Sequence, residues 1–232
     1  MTSLKILQYN TDNLRHGWDY FKQNVEDADL AVLQRFPRIK RQELMELMSG
    51  CRAYMLESCP PGDMCLAIAR SKGAPTFSGT ESITLPSAQH VIALEDQWQG
   101  CTALKTVMSG INIISFLPCF STNGGEYPLT ETDTLSDIKF LIHKFQNEPT
   151  IIIGDIHLSG SDERVKAILD ANGFKSYLDT KATFRAHDKE TFFNLDVFIS
   201  NVPNVSVTNV KVADVEDGVG HMAIRYTLEI DK

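Results

Sequence analysis

Pro149-Thr-Ile-Ile-Ile-Gly-Asp-Ile-His-Leu158 is the stretch whose reading decides the fold. A short, unbroken apolar run of this kind predicts a fully buried strand. It ends at Gly154, where the chain delivers two side chains able to handle protons or metals, Asp155 and His157. On a strand, residues two apart point to the same face. Extended backbone carried through Ile156 would put Asp155 and His157 on one surface and leave Ile156 in the core. A strand-to-loop turn with a polar exit would account for the same residues without any function, so the rest of the chain has to decide.

Working outward, the strand is flanked by two helical patterns. Thr130 to Gln146 carries Leu135, Ile138, Leu141, Ile142 and Phe145 at helical spacing, with His143 off that stripe and on the surface. Ser159 to Asn172 predicts a second helix, capped by Ser159 or Ser161, with Val165, Ile168 and Leu169 inward and Gly173 at its stop. Nearer the start, Lys5 to Asn10 and Ala28 to Gln34 read as strands. Between them lies a helix from about His16 to Val25 with Trp18, Phe21 and Val25 on one stripe. Pro37 obstructs continuation of the second strand, and a short helix follows around Gln42 to Met48.

From Ala53 to Met108 the pattern is mostly β, with segments at Met64 to Ala69, His90 to Leu94 and Thr102 to Met108. Ser109-Gly110 joins the last of these to Ile111 to Leu117 as a hairpin. A loop then runs from Pro118 to Tyr127. The final third returns to strands at Phe193 to Ser200, Val205 to Val212 and Met222 to Ile230. With no repeat or linker-like tract, residues 1–232 read as a single domain. Strands alternating with helices in each half, around an antiparallel middle, predict an α/β fold: a four-layer sandwich of two packed mixed β-sheets flanked by helices.

The composition is that of a soluble globular protein, with 43% hydrophobic and 22% charged residues. Apolar runs are strand-sized, so no membrane span is expected, and the first residues lack the basic-then-apolar pattern of a secretory signal. Five cysteines without a C-x-x-C pair suggest neither a disulfide framework nor a structural zinc site, and a cytoplasmic location fits them. A net charge of −8 argues against a broad basic surface for duplex DNA. The concentrated positive run is Arg35, Arg38, Lys40 and Arg41.

With the strands placed, six stretches fall in the order of one family's motifs. Tyr9-Asn10-Thr11-Asp12-Asn13-Leu14-Arg15 resembles W-N-x-N-G-L-R, and Asp29 to Arg35 resembles D-I-V-x-L-Q-E. Met64 to Arg70 is similar to G-x-A-I-x-S-R, and Gly154-Asp155-Ile156-His157 to G-D-F-N. Asn194 to Phe198 resembles R-I-D-Y-I, and Val219-Gly220-His221 stands where S-D-H is expected. The chain thus resembles the endonuclease/exonuclease/phosphatase family over nearly its whole length, which implies the fold of pancreatic DNase I. The resemblance also implies cleavage of phosphoester bonds with Mg²⁺ or Mn²⁺, held by a carboxylate on the L-Q-E strand and the first-strand Asn. The G-D-x-N pair positions water and phosphate, and the final His, tuned by the Asp before it, acts as acid or base. Matching residues here are Asn10, Asp155, Asp196 and His221, with Asn13, Arg15 and Arg35 as candidates for contacting substrate.

Four positions depart from that pattern. Arg35 stands in place of the metal-binding Glu, His157 in place of the Asn of G-D-x-N, and Gly220 in place of the Asp before the final His. Phe116 stands where many members have His or Tyr, which is expected to leave Asp196 without its usual partner. A guanidinium cannot ligate Mg²⁺, and a positive charge at that position repels a divalent ion.

Two readings follow. In the first, the chain is a phosphodiesterase with rebuilt chemistry, acting on a single-stranded nucleic acid or a nucleotide. Arg35 supplies the charge that a metal supplies in the family, His157 and His221 form an acid/base pair, and Asp155 orients one imidazole. A variant keeps a metal on Asp155, His157 and His221, favouring Mn²⁺ or Zn²⁺ over Mg²⁺. In the second, the catalytic set has eroded and the chain is a module that binds nucleic acid or a protein partner.

Overall fold

In the computed structural model the isoleucine run is a strand, Thr150–Asp155, buried along its whole length. The structure describes residues 2–48, 53–57, 64–88, 98–99, 102–118, 120–121, 131–178, 182–213 and 218–231. The expected segments at His90 to Leu94 and most of Pro118 to Tyr127 lie outside these residues.

In chain order the strands are β1 Thr2–Asn10, β2 Leu30–Pro37, β3 Ala53–Glu57, β4 Met64–Arg70, β5 Phe77–Thr84, β6 Trp98–Gln99, β7 Thr102–Met108, β8 Ile111–Leu117 and β9 Phe120–Ser121. There follow β10 Thr150–Asp155, β11 Lys175–Ser176, β12 Phe184–Arg185, β13 Phe192–Phe193, β14 Asp196–Ser200, β15 Val205–Ala213, β16 Gly220–His221 and β17 Ala223–Ile230. The helices among the described residues are α1 Gly17–Val25, α2 Arg41–Leu47, α3 Glu131–Phe145 and α4 Glu163–Asp170, with a 3₁₀ turn at Arg38–Lys40.

Two six-stranded sheets carry the fold, in the orders β15-β17-β1-β2-β4-β3 and β11-β14-β10-β8-β7-β5. Their centres repeat one arrangement. β1 lies between antiparallel β17 and parallel β2, and β10 between antiparallel β14 and parallel β8. A small sheet, β13-β12-β16, stands beside them. The fold is the expected α/β sandwich of two mixed sheets with helices outside.

Side-chain alternation explains why the central strands read as continuous apolar runs. Ile151 and Ile153 pack in the layer between the sheets with Leu4, Ile6, Val32 and Ile113. Ile152, one residue out of phase, packs on the other face with Ile138, Leu141, Ile142 and Phe145 of α3 and Val165 and Leu169 of α4. The first sheet does the same, turning Leu7, Tyr9, Ala31 and Leu33 toward Phe21 and Val25 of α1 and Leu44 of α2. Each central strand is therefore buried on both faces.

Several boundaries differ from expectation. β2 runs on to Pro37, because the proline is the last residue before the 3₁₀ turn. α4 is capped not by Ser159 or Ser161 but by Asp162, whose carboxylate accepts the Arg164 N–H at 2.9 Å. The two serines bond each other at 2.7 Å in the preceding turn. Ser109 and Gly110 both have positive φ (53° and 82°), which matches the right-handed twist of the β7–β8 hairpin they close.

Candidate active site

The inward-facing rows of the central strands change from apolar to polar as they approach one edge of the sandwich. On β1 the row is Leu4, Ile6, Gln8, Asn10; on β10 it is Ile151, Ile153, Asp155. On β2 it is Leu30, Val32, Gln34, and on β8 Ile111, Ile113, Ser115. These last members meet across the seam between the sheets. Asn10 Nδ2 donates to Asp155 Oδ2 at 2.8 Å, Gln34 Nε2 to Ser115 Oγ at 3.1 Å, and Gln8 Nε2 to the Val197 carbonyl at 3.0 Å. Each is buried, so these bonds offset the desolvation cost of the amide N–H groups, while Gln34 Oε1 keeps no hydrogen-bond partner among the described residues. Gln34 and Ser115 were not among the sequence candidates. The signal that could have found them is their phase, since each continues an inward-facing apolar row.

Asp155 and His157 do come together, though not by strand alternation. The strand ends at Asp155; Ile156 donates its N–H to the Leu195 carbonyl at 2.9 Å, and His157 turns into the left-handed region at φ 52°. The His157 N–H then bonds Asp155 Oδ1 at 3.0 Å, and its Nε2 lies 3.6 Å from Asp155 Oδ2. His221 approaches the same oxygen, Nε2 to Oδ2 at 3.2 Å, while its Nδ1 lies 3.4 Å from Asp196 Oδ2. A non-glycine residue in the left-handed region at a cleft carries a conformational cost that the surrounding contacts must offset.

Asp196 therefore has a partner, contrary to the expectation drawn from Phe116. His221 occupies that role, and Phe116 is a wholly buried core residue lying against Gly154. Gly220 is explained by geometry as well: its φ is 111°, and a β-carbon there would sit 3.4 Å from Arg15 Cδ. The carboxylates beside His221 come from Asp155 and Asp196 instead of position 220.

Four groups thus form a chain, Asp196–His221–Asp155–His157, closed at one end and open at the other. His221 is 5% exposed and Asp155 and Asp196 are buried, whereas the His157 side chain is 40% exposed. Burial draws the His221 pKa down, but the charges of Asp155 and Asp196 and the hydrogen bond to Asp196 outweigh it, leaving the ring above the usual histidine value. Burial pushes Asp155 up; the charges of His157 and His221, the His157 N–H and the Asn10 amide more than offset it, so Asp155 lies below the usual range. Asp196 moves the other way. Burial and the nearby charge of Asp155 raise it despite His221.

Arg35 owes its direction to a β-bulge. The pairing of β2 with β4 shifts between Leu33 and Phe36, and Arg35 takes φ 50° there. Its carbonyl accepts from Thr11 Oγ1 at 2.7 Å and from the Asn13 N–H at 3.0 Å, which ties the bulge to the turn after β1. In that turn Asp12, Asn13 and Leu14 all have positive φ. Asp12 is a functional candidate that sequence reasoning missed. Its carboxylate holds Arg35 Nη1 at 2.5 Å and Arg15 Nη1 at 3.2 Å. Burial lowers the Arg35 pKa, with Asp12 and Asp155 working against that and Arg15 adding to it. Arg15 and Arg35 are thus gathered on one carboxylate. Asn13 is exposed and contributes its backbone N–H, with no side-chain contact that places it in the site. His16 meets the His221 carbonyl through Nε2 at 2.9 Å and so braces β16.

The residues present do not fit the family's divalent ion. Arg35 occupies the position of its carboxylate. Asn10 Oδ1 already accepts the Asp12 N–H at 3.2 Å, and Asn10 Nδ2 is turned to Asp155. Asp155, His157 and His221, the set expected for Mn²⁺ or Zn²⁺, are engaged with one another. Among the described residues no group of three or more His, Cys, Asp or Glu is arranged to hold an ion.

No protein-family model matches this chain, and no curated protein matches its sequence. Solved structures do match its fold. D. rerio TDP2 in complex with a single-strand DNA product aligns at a TM-score of 0.68 and 15% identity, covering 99% of this chain and 100% of that one. An endonuclease/exonuclease/phosphatase from Bacteroides vulgatus aligns at 0.68 and 14%, covering all of both chains. The 3′ phosphatase NExo from Neisseria, bound to a product DNA hairpin, aligns at 0.66 and 14%, covering 99% and 100%. The chain has the fold of these proteins.

Proposed function

We propose that the chain hydrolyses phosphodiester bonds without a divalent metal, with His157 as the residue that exchanges a proton with the substrate. The observation that carries this reading is the Asp196–His221–Asp155–His157 chain, buried at one end and ending on an exposed imidazole. A carboxylate behind a histidine fixes the orientation of its ring, which is what a general acid requires. The 3.6 Å from His157 to Asp155 is long for a hydrogen bond, and such contacts often tighten only when substrate is bound. The matched fold, shared with proteins solved with DNA products, supports a phosphoester as the target.

In this scheme Arg35 and Arg15 take the two non-bridging oxygens of the phosphodiester. Guanidinium groups match phosphate geometry and offset the charge that develops in the transition state. Water attacks phosphorus and gives a proton to solvent. Protonated His157 delivers its proton to the leaving oxygen as that P–O bond breaks, and solvent then reprotonates the ring. His221 is enclosed and acts by positioning, holding Asp155 charged and aimed at His157. One observation favours the alternative, a non-catalytic nucleic-acid-binding module: Asn10, Asp155, Asp196 and His221, all matches to the family motifs, are almost wholly buried.

The test is hydrolysis of bis(p-nitrophenyl) phosphate and single-stranded RNA by wild type and His157→Ala, both in EDTA. Loss of a general acid should lower the rate by about 10²- to 10⁴-fold. Equal rates for the two proteins would overturn the assignment, and no hydrolysis by wild type would favour the binding module.

A further inference from the structure

A second concave site lies on the outer face of the first sheet, away from the polar seam. The strand register builds it. Lys211 of β15 stands directly opposite Arg225 of β17, and Lys5 of β1 stands opposite Thr227. Opposed residues on neighbouring strands share a face, as do residues two apart on one strand. Ile6, Ile224, Tyr226 and Leu228 fill the layer between the sheets, so Lys5, Arg225, Thr227 and Lys211 point outward. Lys211 reaches that face only through a β-bulge. The pairing of β15 with β17 shifts between Thr208 and Lys211, with Asn209 at φ 54°. Regular pairing onward from Thr208, which stands opposite Thr227, would bring Val210 opposite Arg225. The bulge sends Val210 to the core and Lys211 outward in its place.

These strands and the turn after α1 enclose a cleft of about 180 Å³, lined by Lys5, Lys211, Arg225, Asn209, Thr227 and Asp27. Like charges opposed across a sheet destabilise it. Among the described residues none of the three cations forms an ion pair, and Asp27 is the single carboxylate in the lining. The chain has a net charge of −8, so acids that could neutralise them are plentiful elsewhere in it. A positive cluster kept in a cleft of so acidic a chain points to an anion supplied from outside.

We infer that this cleft is a second anion site and that its ligand is inorganic phosphate in the monohydrogen form. Arg225 offers a planar fork of N–H donors suited to phosphate oxygens, and Lys5 and Lys211 add two point charges. Clefts for drug-sized molecules run to about 300–1,000 Å³, so this smaller one suits a single phosphate group better than a nucleotide. Asp27 sharpens the choice. A carboxylate repels an anion that carries no proton, but it accepts a hydrogen bond from the P–OH of hydrogen phosphate. Sulfate has no such proton, and a phosphate monoester loses its own above a pKa of about 6. The site is independent of the catalytic reading. Lys5 is five positions before Asn10 on β1, about 16 Å along the strand and on its opposite face.

The experiment follows the amide ¹⁵N–¹H spectrum of the wild-type chain through titrations with sodium phosphate, sodium sulfate and glycerol 3-phosphate, at about pH 8 and constant ionic strength. Phosphate should produce saturable shifts at Asn209, Lys211 and Thr227. Sulfate and glycerol 3-phosphate should bind there about tenfold more weakly, and Asp27→Asn should remove that preference. Lys211→Gln should weaken phosphate at the cleft by about tenfold or more, Lys211→Arg should retain it, and Lys166→Gln on α4 should change nothing. Lys211 and Asp27 are exposed, and the dispersion of each spectrum reports whether the variant is folded. Shifts confined to Arg15 and Arg35, no saturable shift at the cleft, or unaltered affinity in Lys211→Gln would overturn the site. Sulfate or glycerol 3-phosphate binding as tightly as phosphate would overturn the choice of ligand.

Discussion

His221 has a carboxylate at each ring nitrogen, and this fixes how its contribution depends on pH. Its pKa is raised above the unfolded value, so the stability it adds is fully present below about pH 6.5 and disappears as pH rises through the higher folded value. Asp155 is depressed, so its contribution is present above about pH 4 and disappears as pH falls through its folded value. The midpoint temperature of wild type minus that of His221→Gln should therefore be largest between about pH 4 and 6.5 and shrink toward pH 9. A difference that grows with pH would contradict the charged ring. Arg35 makes a second residue-scale prediction. Arg35→Ala should lower kcat/KM on a phosphodiester by about a hundredfold to a thousandfold, and Arg35→Lys should recover little, because an ammonium lacks the planar fork. Of the departures from the family motifs, Arg35 and His157 were visible in the sequence as an arginine and a histidine out of place. Asp12 was not, because nothing local announces that a carboxylate will meet an arginine 23 positions later at 2.5 Å.

At the scale of elements, β10 shows how closely the site depends on its strand. A β-carbon on Gly154 would collide with the Phe116 carbonyl oxygen and stand 2.7 Å from Phe116 Cδ1. Both are on the parallel neighbour β8, which cannot withdraw without losing ladder bonds. Gly154→Ala should cost about 1–3 kcal/mol of stability, read as a lowered denaturation midpoint, and should disturb Asp155 at the next position. Unchanged stability would mean that the two strands are less tightly packed than described. The strand itself was legible because burial on both faces leaves an uninterrupted apolar run. The turn after it was not. His157 leaves the extended region for φ 52°, and the reward for doing so, its N–H bond to Asp155, is invisible to a rule based on alternation. The cap of α4 was misplaced for a similar reason, since Ser159, Ser161 and Asp162 are all capable and only the local geometry selects Asp162.

Across the whole molecule, the sandwich is closed at the site by side-chain bonds between the sheets. Gln34 and Ser115 are buried and bonded to each other. Ser115→Ala should strand the Gln34 amide and cost about 1–3 kcal/mol, whereas the double change Gln34→Leu with Ser115→Ala should be nearly neutral. Additive losses in the double-mutant cycle would show that the pair does not couple the sheets. The layered architecture was legible because hydrophobic phase and motif order agree along the chain. The convergence of Asn10, Asp155, Asp196 and His221 was legible only through resemblance, since these residues are far apart in sequence and pairing between strands brings them together.

The central claim is that Arg35 and the histidine–carboxylate chain replace a divalent ion. It is tested most directly by the rate of phosphodiester hydrolysis by wild type after exhaustive chelation, compared with the rate after adding back Mg²⁺, Mn²⁺ or Zn²⁺. The account predicts the same rate in EDTA as with any of the three ions. Activity that appears only when an ion is restored, or no activity under any condition, would contradict it.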